Sequence, residues 1–271
     1  MPGIEQALHA LGELERCAGQ PSPLRHLDPR AGLVATLAFA LVVASYPQYS
    51  VSALLPLAAY PLALLALSGL APRALGWRLL AALPFVVCVG LFNPLLDTTP
   101  QTLWGVSVPG GWLSLASLVL RFVLTVSAAL ALVAAVGFTR LAAALPRLGV
   151  PRAFATQLLL LHRYIFVLCH EALRLHRACV LRAGGRGVRW RVYAALLGQL
   201  LLRTLGRAER VHRAMLCRGF DGSLPLARPL APGWGDVAFV LGWGGFFALA
   251  RLYDLPMLLG RCAISALRGL V

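Results

Sequence analysis

Not one of the 271 residues is lysine, and only ten are acidic. All 25 basic residues are therefore arginine, giving a formal net charge of +15. Charged side chains make up 13% of the chain, against ~25% in a soluble domain. Without lysine there is no phosphate-binding glycine loop ending in Lys-Ser or Lys-Thr, so no nucleotide site of that kind is encoded. The six cysteines include no Cys-x-x-Cys pair, which indicates neither a zinc site nor a disulfide framework. A basic stretch followed by an apolar run is also missing at the start, where Glu5, Glu13 and Glu15 stand instead; a signal peptide is not expected. What the chain does have is apolar side chains, 59% of the total, with a mean hydropathy of +0.76. That excess exceeds what an aqueous core holds and requires lipid as solvent.

The apolar residues are grouped. After a polar segment, residues 1–30, four runs follow at Ala31–Tyr46, Val51–Leu70, Leu79–Leu96 and Leu113–Gly137. Each is near the ~20 residues needed to cross hydrocarbon as a helix, the first being short. A fifth, Trp234–Ala250, follows Pro232, and the tail Leu255–Leu270 is open to reading as a short sixth crossing or an interfacial helix. Pro47, Pro72, Pro94 and Pro109 are read as marking turns between runs. In the polar segment Ile4, Leu8, Leu11 and Leu14 recur at helical spacing, predicting an amphipathic helix on the membrane or against a partner. The expected fold is all-α and polytopic. Its parts are an N-terminal cytoplasmic segment 1–30, a four-helix transmembrane region 31–137, a cytoplasmic region 138–231, and a C-terminal crossing and tail 232–271.

Arginine placement sets the expected orientation. Arg73 and Arg78 flank the second connection, whereas the first and third, around Gln48 and Thr98, contain none. Cytoplasmic loops are enriched in basic residues, so the N-terminus and residues 71–78 are expected inside. Four crossings then return the chain to the cytoplasm at Phe138. There it meets the densest basic stretch, Thr139–Pro229, with 16 Arg against three acids, Glu171, Glu209 and Asp221. Two long helices are predicted in this stretch, Pro151–Ala183 and about Arg189–Gly219, joined by the glycine-rich turn at 184–187. Their apolar runs are interrupted by His162 and Arg163 or bounded by Arg191 and Arg203. They are read as cytoplasmic helices with apolar faces packed under the membrane bundle.

An internal repeat carries the most specific signal. Residues 172–182, Ala-Leu-Arg-Leu-His-Arg-Ala-Cys-Val-Leu-Arg, recur 36 positions later as Ala-Glu-Arg-Val-His-Arg-Ala-Met-Leu-Cys-Arg at 208–218. Six of the eleven positions are identical. Ala178 and Arg182, like Ala214 and Arg218, lie four apart and so share a helix face. The small Ala admits a close partner. The terminal Arg complements the helix dipole and offers a bidentate donor. Anionic lipid could attract arginines, but headgroups demand no repeated register. Two equivalent plugs suit a partner with two equivalent sockets, such as a dimer of ATPases.

From Arg210 to Phe220 the sequence resembles the coupling-helix signature of the T components of energy-coupling factor transporters. Five further stretches resemble the cobalt (CbiQ-type) branch: Pro23–Arg30 with Asp28-Pro29-Arg30, Phe92–Asp97, Gly110–Trp112, Leu148–Arg152, and Arg163–Leu168 with Glu171. The resemblance implies a non-catalytic subunit of an ABC-type importer in the bacterial inner membrane. It would dock two ATPase subunits and transmit ATP-driven motion to a separate membrane subunit that binds cobalt or nickel; a vitamin-binding subunit is the alternative. ATP would bind the partners, with no cofactor on this chain. The implied ATPase-coupling residues are Ala178, Leu181, Arg182, Ala183, Ala214, Cys217, Arg218 and Gly219, supported by Arg174, Arg177, Arg210 and Arg213. Both central triplets, Leu181-Arg182-Ala183 and Cys217-Arg218-Gly219, keep the Arg but lack the Ala that precedes it in the family.

Three other readings concern single sites. Arg121 lies nine residues into the fourth run, where a charge is costly and often functional. It is read as bonding backbone carbonyls or reaching the interface, or else as pairing with Asp97 or contacting the substrate subunit. No catalytic residue and no metal ligand set is expected. His162, His170, His176 and His212 stand among arginines that would repel a cation. An enzyme acting on lipid phosphates would need an acidic pair that this stretch lacks, and nucleic-acid binding would need aromatics interleaved among the basic residues.

Overall fold

The computed structural model describes residues 27–49, 51–69, 72–96, 100–103, 106–184, 190–222 and 233–252. The predicted N-terminal amphipathic helix, Asp97 and the tail 255–271 lie outside them. Two compact units divide the chain at Phe138/Thr139 and again at Pro229/Leu230.

The membrane unit is helical. α1 (Pro29–Ala44) starts at Asp28, whose carboxylate accepts a hydrogen bond from the Arg30 N–H at 3.0 Å, with proline in the first turn. Both features are favoured at a helix start. α2 (Val51–Leu54), a 3₁₀ turn (Pro56–Ala58) and α3 (Ala59–Ser68) follow in succession. α4 (Pro72–Gly90) and α5 (Phe92–Leu96) lead to an antiparallel hairpin, β1 (Pro100–Leu103) with β2 (Val106–Pro109), in which Pro100 faces Pro109. α6 (Gly110–Val136) comes next, and α10 (Trp234–Leu252) completes the unit.

α6 is the axis. It packs against α1, α3, α4 and α5, while α10 packs on α1. Its buried face is mostly small: Ser114, Ser117, Ser127, Ala128, Ala131, Ala134 and Ala135. Lipid supplies no hydrophobic drive between helices, so close approach of small residues does the packing. α1 answers with Gly32, where an added Cβ would sit 2.7 Å from Leu132 Cδ1. Aromatic rings fill the wider gap among α1, α3 and α10. Phe39 lies 4.9 Å from Tyr60 and 5.5 Å from Phe247, centroid to centroid. The Tyr60 and Thr36 hydroxyls pair at 2.7 Å, so neither faces the apolar surroundings unpaired.

Val51–Ser68, Leu75–Pro94, Gly110–Val136, Arg152–Arg182 and Trp234–Leu252 are long and apolar enough to cross a membrane, and Pro29–Ala44 is a shorter apolar helix. The chain is a helical polytopic membrane protein. The expected set of five differs by one exchange. Pro29–Ala44, at 16 residues, spans about 24 Å of a hydrocarbon core ~30 Å thick. Arg152–Arg182 qualifies by average hydropathy, whereas His162 and Arg163 cut its uninterrupted apolar run. The proline reading also needs correction. Pro72 opens α4 and Pro94 lies inside α5; proline is tolerated in a first turn, where its missing N–H has no intrahelical partner. The hairpin is the one departure from all-α among the described residues.

The second unit, residues 139–229, contains a 3₁₀ turn (Leu145–Leu148), α8 (Arg152–Arg182) and α9 (Trp190–Leu216). α7 (Phe138–Ala144) lies across the boundary between the units. The turn ends at Gly149, with φ at +92°, a conformation that glycine adopts without steric cost. Pro151 precedes α8 as its N-cap, one position earlier than the predicted first-turn place.

Candidate coupling site

α8 and α9 are amphipathic and pack against each other. Glu171 fixes how. Its side chain is 12% exposed and accepts hydrogen bonds from Arg174 on its own helix and from Arg203 on α9 at 2.9 Å; Arg207 stands within 4.0 Å. One carboxylate thus gathers three guanidinium groups and ties the middle of α8 to the middle of α9. Either side of this tie, Ala172 and His176 share a cleft with Tyr193 and Leu200, while Gln157 and Tyr164 share another with Thr204 and Met215. The two helices therefore run antiparallel.

Each motif copy closes its helix. α8 ends at Arg182; the Ala183 N–H donates to the Cys179 carbonyl at 2.9 Å, and Gly184 follows at φ +56°. α9 ends at Leu216, with the Cys217 N–H donating to Arg213 and the Phe220 N–H reaching back to the Met215 carbonyl at 3.1 Å. Gly219, at φ +78°, takes the left-handed step that lets those N–H groups satisfy the last carbonyls. The Thr156 hydroxyl donates to the Gly222 carbonyl at 3.0 Å, so the loop after Arg218 is pinned to the second turn of α8.

Of the expected coupling residues, Ala178, Leu181, Arg182, Ala214, Cys217, Arg218 and Gly219 are exposed, and Ala183 is half-buried. Leu181 is 82% exposed, more than a leucine inside a finished core would be. Arg174, Arg177, Arg210 and Arg213 are also exposed; Arg174 serves the Glu171 cluster, and Arg213 stands 3.8 Å from Glu209. Arg182 and Arg218 each lie eleven residues beyond Glu171 and Arg207 respectively. Along antiparallel axes that places the tips up to about 33 Å apart, pointing in opposite directions. The Glu171 tie across to α9 had no signal in the sequence beyond its local i,i+3 pairing with Arg174.

Arg121 donates to the Pro47 carbonyl at 2.6 Å, the backbone-bonding alternative of its sequence reading. Among the described residues no three His, Cys, Asp or Glu side chains converge as a metal-binding group.

The CbiQ family, described as cobalt transport protein, matches residues 20–227. A relative named as a fused cobalt transport protein, CbiMQ, from Methanocorpusculum labreanum is 35% identical over 92 residues. That similarity covers 32% of this chain, and the chain spans only 15% of the relative's length. A match over that much of the chain, taking in both motif copies and the Glu171 cluster, shows that the chain belongs to the CbiQ cobalt transport protein family.

Proposed function

We propose that this chain is the energy-coupling membrane subunit of an importer for cobalt or nickel ions. Two ATPase subunits dock at the Arg182 and Arg218 tips, and the paired helices α8 and α9 pass their motion to a substrate-binding membrane subunit. The observation that carries this reading is the duplicated Arg-ended motif closing both helices of one antiparallel pair. A partner with two equivalent sockets matches two equivalent ends, and opposed tips suit sockets on separate subunits. ATP hydrolysis then belongs to the partners, and this chain is non-catalytic.

The sidedness of α8 decides whether its tips are reachable by cytoplasmic ATPases. Were α8 to cross the bilayer, Arg163, Glu171 and Arg174 would lie at membrane depth, where each charge is costly. α9, with Arg203, Arg207, Arg210 and Arg213, would accompany it through the Glu171 tie. Keeping both helices in the cytoplasm avoids that cost and obeys the basic-inside bias. The N-terminus then also lies in the cytoplasm, and the protein resides in the bacterial inner membrane.

Reversing one member of a buried charged contact costs ~2–5 kcal/mol. Arg182→Glu or Arg218→Glu should therefore weaken ATPase association roughly 30-fold or more, with membrane insertion unchanged. Co-purification of ATPases with the tagged chain measures this. Wild-type recovery by the double variant would reject the docking role.

A further inference from the structure

The 36-residue offset of the motif reaches beyond its eleven residues and organises the whole helix pair. A small cleft of about 120 Å³ is lined by Ala172, Leu175 and His176 of α8 and by Tyr193, Leu196, Leu197 and Leu200 of α9. Shifted by 36, the first three become Ala208, Val211 and His212, and the other four become Gln157, Leu160, Leu161 and Tyr164. All seven line a second, larger cleft of about 420 Å³. Glu171 and Arg207 are equivalent under the same offset and stand 4.0 Å apart, as residues beside a two-fold axis do. α8 and α9 are thus two copies of one helix, related by a pseudo-two-fold at the Glu171 tie, with one cleft on each side.

The clefts differ in one respect that bears on ligands. In the small one the Tyr193 ring stacks on His176, with centroids 5.8 Å apart and planes inclined by 21°. In the large one the Tyr193 position is held by Gln157, and among the described residues no ring stacks on His212. The large cleft also gains Phe220, whose counterpart in the other half is Gly184. Its walls therefore offer His212, Tyr164 and Phe220 rings and the Met215 thioether, groups that favour an aromatic guest. Residues 1–26 contain no Phe, Tyr or Trp, so the N-terminal segment supplies no such ring. Met215 and Phe220 lie three residues before and two residues after Arg218, so whatever docks on Arg218 lies beside the cleft.

We infer that the large cleft receives an aromatic side chain of the ATPase docked at the Arg218 tip, stacked on His212 as the chain's own Tyr193 is stacked on His176. This rests on the docking reading of the Arg tips. It leaves the two Arg tips equivalent and makes the clefts beside them unequal: one cleft is filled from within, and the other is completed by the partner.

Gln157→Tyr tests the inference by supplying the ring internally. ATPase recovery in co-purification should fall at least tenfold, while Gln157→Leu, of similar size without a ring, stays within twofold of wild type. A photo-crosslinking amino acid at Leu161, which is 62% exposed on the cleft wall, should join the wild-type complex to an aromatic-containing peptide of the ATPase, independently of how Gln157→Tyr folds. Wild-type recovery with Gln157→Tyr, or a crosslink to phospholipid or to the substrate-binding subunit, overturns the inference. Arg218→Glu run alongside separates the two claims: loss of ATPase there with full recovery in Gln157→Tyr leaves the docking role standing, and full recovery in both rejects it as well.

Discussion

Asp236 joins the last described helix of the membrane unit to the first. It is 8% exposed at the third position of α10. Its Oδ2 accepts the Gly233 N–H at 2.8 Å, the acidic half of a capping box. Its Oδ1 accepts the Asp28 N–H at 2.7 Å across 208 residues of sequence. Asp236→Ala would leave both backbone donors without a partner. A buried orphaned donor costs ~1–3 kcal/mol, and Gly233 is the more accessible of the two, so the gross loss is ~2–4 kcal/mol. Removing the carboxylate also relieves repulsion with Asp28, whose Oδ2 is buried without a hydrogen-bond partner. The net loss should be about 2 kcal/mol, or about 4–8 °C in unfolding midpoint for a chain of this size. Asp236→Asn keeps one acceptor and drops the charge, so it should lose about half as much. Thermal unfolding in detergent, followed by size-exclusion chromatography, measures both. An alanine variant that melts within a degree of wild type, or an asparagine variant less stable than alanine, would refute this reasoning.

The remaining predictions concern the helix pair. Glu171 titrates below its ordinary 4.5, chiefly through the hydrogen bond from Arg203, with burial opposing and the Arg174, Arg203 and Arg207 charges assisting. A lowered carboxylate value stabilises pairing above the ordinary value, and that support disappears as pH falls through the lowered one. In a variant whose native cysteines are replaced, dipolar broadening between nitroxide labels on Leu168→Cys and Thr204→Cys should thus hold at pH above 4.5 and decline below it, whereas adding Glu171→Gln should weaken it at neutral pH and leave it responding little to acid. Gly219→Val places a β-branched residue at φ +78°, a conformation costing ~1–2 kcal/mol. Helix content should persist while ATPase co-purification falls, because the cap that aims Arg218 is lost.

Hydropathy made the membrane helices legible, and side-chain contacts made the rest. The fourth run, read as Leu113–Gly137, is the helix Gly110–Val136, because an apolar segment with Arg121 as its single charge leaves no other solution in lipid. The second run, Val51–Leu70, is interrupted at Pro56, since hydropathy does not register a missing N–H. The α10–α1 tie through Asp236 links positions 208 apart, and no local pattern announces such a partner. The repeat was legible at 172–182 and 208–218, where identities are dense. Its extension was not, because of the four α8–α9 cleft pairs only Leu160/Leu196 and Leu161/Leu197 are identical. Tyr164/Leu200 and Gln157/Tyr193 preserve a position without preserving a residue, and only the shared clefts reveal them.

The central claim is that the Arg-tipped ends of α8 and α9 lie on the cytoplasmic face and are covered by ATPases. Cys217, exposed beside Arg218, reports on this directly in a variant whose other five cysteines are replaced. A membrane-impermeant maleimide should label it in inside-out vesicles and not in right-side-out ones, and added ATPase subunits should protect it. Labelling confined to right-side-out vesicles, or labelling in inside-out vesicles undiminished by saturating ATPase, would contradict the account.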